Sequence, residues 1–113
     1  SLDHGRFRRF IDDGPGCNLL VFAADGGGDL YVRVFAEDSG FPEDPATGSA
    51  NGNLAGYLLK YDYFGKSRIQ YKVRQGYEVN RPSLLRIDAA MHGDAFEINV
   101  GGNVHEVAEG EWF

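Results

Sequence analysis

Apolar and polar residues change rhythm twice along this chain. From Asn18 to Ala23 and from Leu30 to Ala36 the runs are short and rich in β-branched and aromatic residues, which predicts two strands. In the second run Tyr31, Arg33 and Phe35 alternate with Val32, Val34 and Ala36, as in a strand with two unlike faces. Asp25-Gly26-Gly27-Gly28-Asp29 lies between them, so the pair reads as a hairpin. The three glycines are assigned to positive φ in the turn and not to phosphate binding, because no helix follows them to supply an anion site. Ahead of the hairpin, residues 1–16 form a leading segment. Phe7, Phe10 and Ile11 make one apolar turn there before Asp12-Asp13-Gly14-Pro15-Gly16 breaks it.

The rhythm becomes helical from Ser49 to Phe64. Leu54, Leu58 and Tyr61 form an i, i+4, i+7 stripe, and Ala55 and Leu59 widen it. A helix this apolar is expected to be enclosed by other structure, with Gly65 as its C-terminal stop. Alternation then returns: Ile69, Tyr71 and Val73 against Gln70, Lys72 and Arg74, closing at Gln75-Gly76. Asn80-Arg81-Pro82-Ser83 turns into a strand over 84–90. Met91-His92-Gly93-Asp94 turns into another over 95–100, where Phe96, Ile98 and Val100 share a face. A last strand is predicted from Val104 to Ala108, bulged or bent because Val104 and Val107 fall out of phase. One helix apolar on most sides and several half-apolar strands are best satisfied together. The expected fold is α+β: an antiparallel, strongly curved sheet wrapped around a central apolar helix, as a single domain over residues 1–113.

Composition narrows the function. At 113 residues and 42% hydrophobic, the chain is large enough for one core. A net charge of −6 without a basic stripe argues against nucleic acid, and its acids are too dispersed to form a tail. The single cysteine, Cys17, has no internal disulfide partner and reads as a half-buried strand residue; no Cys/His cluster has metal-ligand spacing. No run approaches the ~20 apolar residues of a membrane span and no signal peptide opens the chain, so a cytoplasmic location is expected. The start at Ser1-Leu2, without Met, reads as a protein processed, tagged or cut from something larger.

The chemistry gathers between residues 43 and 50. Pro45 disfavours helical backbone at Asp44 and holds it extended. Gly48 allows close approach, and Thr47 or Ser49 is placed to cap the helix. The first free N–H groups of that helix, with about half a positive charge, suit an anion such as a substrate carboxylate. Capping needs one oxygen. Asp44, Thr47 and Ser49, with a glycine between the two hydroxyls, supply more than capping uses.

The run Glu-Asp-Pro-Ala-Thr-Gly-Ser-Ala (43–50), followed by Gly52, Leu54 and the apolar helix, resembles the signature of the PhzF-like proteins, the phenazine-biosynthesis isomerase family. Gln75-Gly76 with Arg81-Pro82-Ser83 resembles that family's Q-G…G-R-P-S segment, with Asn80 where glycine is usual. Residues 100–107 resemble its closing hairpin. The resemblance covers nearly all of this chain but only the C-terminal half of the family's. It implies a diaminopimelate epimerase-like fold: two lobes, each a sheet rolled round a helix, with the active site in the cleft between them. It also implies proton transfer beside a carboxylate or ketone without metal or other cofactor.

Carried over residue by residue, Asp44 corresponds to the acidic catalytic group from this half. Thr47, Gly48 and Ser49 correspond to the substrate-binding helix start. The catalytic cysteine of diaminopimelate epimerases has no counterpart, since Ala46 and its neighbours stand there, and Cys17 is far off in sequence. The family's glutamate in an Asn-x-Ser-Glu-Thr-like run and its early Gly-Asn-Pro motif are absent.

The expectation is therefore the C-terminal half of an isomerase or epimerase, inactive without an N-terminal lobe, whose partners are that lobe, a small carboxylate and in one variant a second copy. The alternative is an anion-binding or dimerisation module without catalysis. His4, His92 and His105 read as solvated side chains. Arg81 reads as either a carboxylate ligand or a turn residue, and Trp112 and Phe113 as either core or partner contacts.

Overall fold

The computed structural model describes residues 2–14, 18–36 and 41–113. Cys17 lies outside them, and so does its reading as a strand residue. Two helices, α1 (His4–Asp13) and α2 (Gly48–Lys60), accompany six strands: β1 (Leu19–Ala24), β2 (Leu30–Ala36), β3 (Phe41–Asp44), β4 (Arg68–Gln75), β5 (Ser83–His92) and β6 (Ala95–Gly102). The strands form one sheet in the order β1-β2-β4-β5-β6, with β3 paired to β2.

The sheet is mixed, which corrects the antiparallel expectation. β2 and β4 run parallel, with Leu30 opposite Val73 and Tyr31 opposite Arg74. The reason is the connection. The chain leaves β2, passes through β3 and α2, and returns by a crossover far longer than a hairpin, which delivers a parallel strand. The other adjacent pairs are antiparallel.

β1 occupies one edge of β2 along its length, so β4 and β3 share the other edge. β4 takes its start, and β3 takes its end, with Asp44 opposite Val34. The last residue of β4, Gln75, is thereby brought beside Asp44. That placement builds the site.

The core lies between α2 and one face of the sheet. Leu30, Val32 and Val34 from β2, Ile69, Tyr71 and Val73 from β4, and Leu85, Ile87 and Ala89 from β5 meet Leu54, Ala55, Leu58 and Leu59 from α2. Burying each leucine contributes about 1.5–3 kcal/mol, which outweighs the weak helix propensity of three glycines in α2. On the opposite side of β2, Phe35 packs with Phe7 and Ile11 of α1, whose first turn is capped by Asp3 accepting from the Arg6 amide.

α2 departs from the sequence reading in two ways. It is not enclosed all round: Ser49, Asn53, Tyr57 and Tyr61, each four residues apart, form an exposed stripe. It also stops before Gly65. Asp62 adopts φ +52°, the Tyr63 amide donates to Leu58 O and the Asp62 amide to Leu59 O, so the left-handed cap falls on an aspartate three residues early. The strand expected over 104–108 is absent. Residues 103–113 have no regular structure, and Val104, Val107, Trp112 and Phe113 are almost fully exposed, so neither terminal aromatic is core.

Candidate active site

Thr47 is the N-cap residue of α2, yet its side chain makes no capping bond. Its hydroxyl turns back instead and donates to Asp44 Oδ2 at 2.5 Å. The Gln75 side chain, 1% exposed, explains the turn. Its Nε2 donates to Asp44 O at 2.7 Å and to Thr47 Oγ1 at 2.9 Å. Its Oε1 accepts from the Thr47 amide at 3.3 Å and from Asn51 Nδ2 at 2.9 Å. Asn51, fully buried one turn into α2, also donates to Thr47 O at 2.8 Å. Two buried amides thus satisfy the polar groups of the loop from inside, as burial requires. The exception is Asn51 Oδ1, which is buried without a partner among the described residues.

Glu43 is held separately. Arg33 on β2 grips its carboxylate in a fork, Nε to Oε1 at 2.9 Å and Nη2 to Oε2 at 2.7 Å, with the Glu43 side chain only 7% exposed. Adjacent acids therefore have different tasks: Glu43 ties β3 to β2, and Asp44 faces the start of the helix.

The loop is a ridge between two openings. A groove of about 550 Å³ between β1 and α2 is walled by Leu20, Phe22, Leu54 and Tyr57 and is polar at the end formed by Thr47, Ser49 and Asn53. A second opening of about 480 Å³ lies on the other side, between Ala46, Gly48, Ser83 and the end of β6. Thr47 and Ser49 border the first, and Gly48 borders the second. Asp44 is half-buried and lines neither, but stands one hydrogen bond behind Thr47. The Gly48, Ser49 and Ala50 amides begin the helix and have no helical carbonyl to bond. An acid beside free, positively polarised amides can hold an anion and exchange a proton next to it.

A family profile described as phenazine biosynthesis-like protein matches residues 7–110. The chain belongs to that family. An uncharacterized isomerase of Mesorhizobium japonicum is 33% identical over 85 residues, 74% of this chain and 28% of its own length. One from Pasteurella multocida is 39% identical over 83 residues, 73% of this chain and 27% of its own. The trans-2,3-dihydro-3-hydroxyanthranilate isomerase of Pseudomonas aeruginosa is 37% identical over 103 residues, 90% of this chain and 36% of its own. The chain spans little more than a quarter to about a third of these curated relatives.

Within this phenazine biosynthesis-like chain, the four residues singled out from sequence, Asp44, Thr47, Gly48 and Ser49, sit on one turn. Gln75 and Asn51 escaped that reading. The only signal was the Gln75-Gly76 pair, since nothing in a single sequence tells a strand-end glutamine that it will face a loop 28 to 31 residues away. Asn80 has φ +57°, a left-handed conformation that asparagine tolerates and glycine adopts freely, which accounts for the exchange at that position. Arg81 works in its turn through its backbone: its amide donates to Gly76 O and its carbonyl accepts from Ser83 Oγ. The histidines are scattered over α1, the end of β5 and the C-terminal segment, and His92 lies 3.5 Å from Glu97.

Proposed function

We propose that this chain is the C-terminal lobe of a cytoplasmic, cofactor-independent isomerase or epimerase that moves a proton on a small carboxylate-bearing substrate. In this reading the sheet curves round α2 as one of two similar lobes, and the site lies in the cleft between them. Asp44 is the catalytic acid/base of this half. The Gly48 and Ser49 amides, with Thr47 at the lip, hold the substrate carboxylate. Proton transfer needs a group to remove the proton and a position for its return, both within about 3 Å of the reacting carbon. One acid on one wall does not supply both, so the second acid/base comes from the N-terminal lobe, and the chain alone is inactive.

The observation that carries this reading is the anchored Asp44 carboxylate beside helix-start amides that nothing in the helix can bond. The isomerase names of the relatives support the reaction class. Replacing Asp44 by Asn in the full-length protein tests it, with trans-2,3-dihydro-3-hydroxyanthranilate as the probe and deuterium uptake from D2O as the readout. Exchange should fall by about 100-fold or more; exchange at the unmutated rate refutes the assignment.

The non-catalytic alternative draws on the exposed Tyr57, Trp112 and Phe113, which suit a homodimer contact as well as a missing lobe. It predicts a concentration-dependent dimer by sedimentation, carboxylate-induced shifts of the Gly48 and Ser49 amide signals, and no exchange in any lobe combination.

A further inference from the structure

We infer that Gln75 is a positioning residue that aims the Thr47 hydroxyl proton at Asp44 and so leaves one carboxylate oxygen free for the reaction. The inference rests on the assignment of Asp44 as acid/base and deepens it. A threonine hydroxyl has one proton and two lone pairs. Gln75 Nε2 donates to Thr47 Oγ1 at 2.9 Å, so the hydroxyl is an acceptor on that side. Its proton must point elsewhere, and Asp44 Oδ2 is where it goes.

The direction of this chain is fixed by chemistry. Gln75 Oε1 faces two donors, the Thr47 amide and Asn51 Nδ2, whereas Nε2 faces Asp44 O and Thr47 Oγ1. Flipping the glutamine would set donor against donor and carbonyl against carbonyl. Asn51 is fixed in the same way, since its Nδ2 meets Thr47 O and Gln75 Oε1, both acceptors.

Two consequences follow for the site. The Thr47 hydroxyl proton is committed to Asp44 and is not offered to a ligand. Asp44 Oδ2 is anchored, whereas Oδ1 has no hydrogen-bond partner among the described residues and is the oxygen available to take or give a proton. Gln75, with 1% of its surface exposed, touches no ligand and acts through Thr47.

The test uses Thr47→Val, Thr47→Ser and Gln75→Met in the full-length protein, with the same dihydroaromatic probe. Thr47→Val should lower kcat by about 10- to 100-fold with a smaller change in KM, because the acid is mis-aimed while the Gly48 and Ser49 amides still hold the carboxylate. Thr47→Ser should restore most of the rate, and Gln75→Met should reproduce the loss although the hydroxyl is present. Should Gln75→Met fail to fold, the Thr47 pair decides. Unchanged kcat in Thr47→Val, or a loss confined to KM, overturns the inference. An active Asp44→Asn protein instead overturns the assignment beneath it. A readout independent of turnover is the Gln75 side-chain amide signal by NMR. It should be slow to exchange with solvent and move in Thr47→Val but not in Thr47→Ser; fast exchange, or indifference to Thr47→Val, refutes the hydrogen-bond chain itself.

Discussion

Gly76 lies directly against Pro45: a β-carbon built on Gly76 would sit 2.7 Å from Pro45 O, 3.0 Å from Pro45 Cα and 2.3 Å from Arg81 O. Its φ is +82°, which a side chain also resists. The turn after β4 and the loop before α2 are thus pressed together backbone to backbone, and Gln75 reaches Asp44 because of it. Gly76→Ala should destabilise the fold by about 2–5 kcal/mol, combining left-handed strain with overpacking against atoms that cannot rotate away. Urea unfolding of the two proteins measures this; a difference below about 1 kcal/mol would mean the turn yields freely.

The Arg33–Glu43 fork is a second tie on the same loop. The hydrogen bond to Glu43 comes first among the causes that push the Arg33 pKa further up. Arg33→Leu leaves a carboxylate that is 7% exposed without its counter-charge. The expected cost is about 2 kcal/mol, below the usual range for a buried pair because Arg33 is itself 31% exposed. The double variant Arg33→Leu/Glu43→Leu should recover at least half of that loss. A double-mutant cycle in stability reads both numbers, and additive losses would show the pair to be uncoupled.

Tyr71 is 5% exposed, and its hydroxyl has no partner among the described residues. Tyr71→Phe should therefore raise stability near neutral pH by about 1 kcal/mol, because an unsatisfied buried hydroxyl is removed. Burial also pushes the Tyr71 phenol well above its ordinary value. The folded state holds that proton more tightly than the unfolded chain does. The contribution is full below the ordinary tyrosine value of about 10 and is lost as pH rises from there through the raised folded value. Unfolding midpoints at neutral pH and above 10 should thus separate the two proteins: the phenylalanine variant should lose less on the alkaline side. Equal losses contradict the placement of Tyr71.

How much of this could be read from the sequence depends on how local each cause is. The alternation at Ile69, Tyr71 and Val73 and the stripe at Leu54 and Leu58 are local patterns, and both landed in the core. β3 was not legible, since four residues that include a proline carry no alternation to read. The parallel pairing of β2 with β4 was hidden because it depends on where a 31-residue excursion comes back, and no residue on either strand announces it. Val104 and Val107 read as a strand because apolar residues in the right density look like one, but no neighbouring strand here pairs with them. In the candidate site the four loop residues were visible together. The glutamine and asparagine that organise them were not, because their partners come from elsewhere in the chain.

Asp25 predicts the acid side of the stability curve. The Gly27 amide bond, first among its causes, together with the Asp29 amide and Arg74, holds its carboxyl below the usual value against an opposing effect of burial. A depressed folded value means the stabilisation is present above the ordinary carboxylate value of about 4 and is lost as pH falls through the folded one. Asp25→Asn should flatten that loss in thermal melts between neutral pH and pH 3. A variant that tracks the parent across the range would show that the turn does not feel the charge.

The most direct test is deuterium incorporation into the dihydroaromatic carboxylate by this chain alone and by the same chain joined to the proposed N-terminal lobe. None above background is expected for the chain alone, and turnover-rate exchange once the proposed N-terminal lobe supplies the second acid/base. Full exchange by the isolated chain, or none in the joined protein, would contradict the proposed two-lobe site.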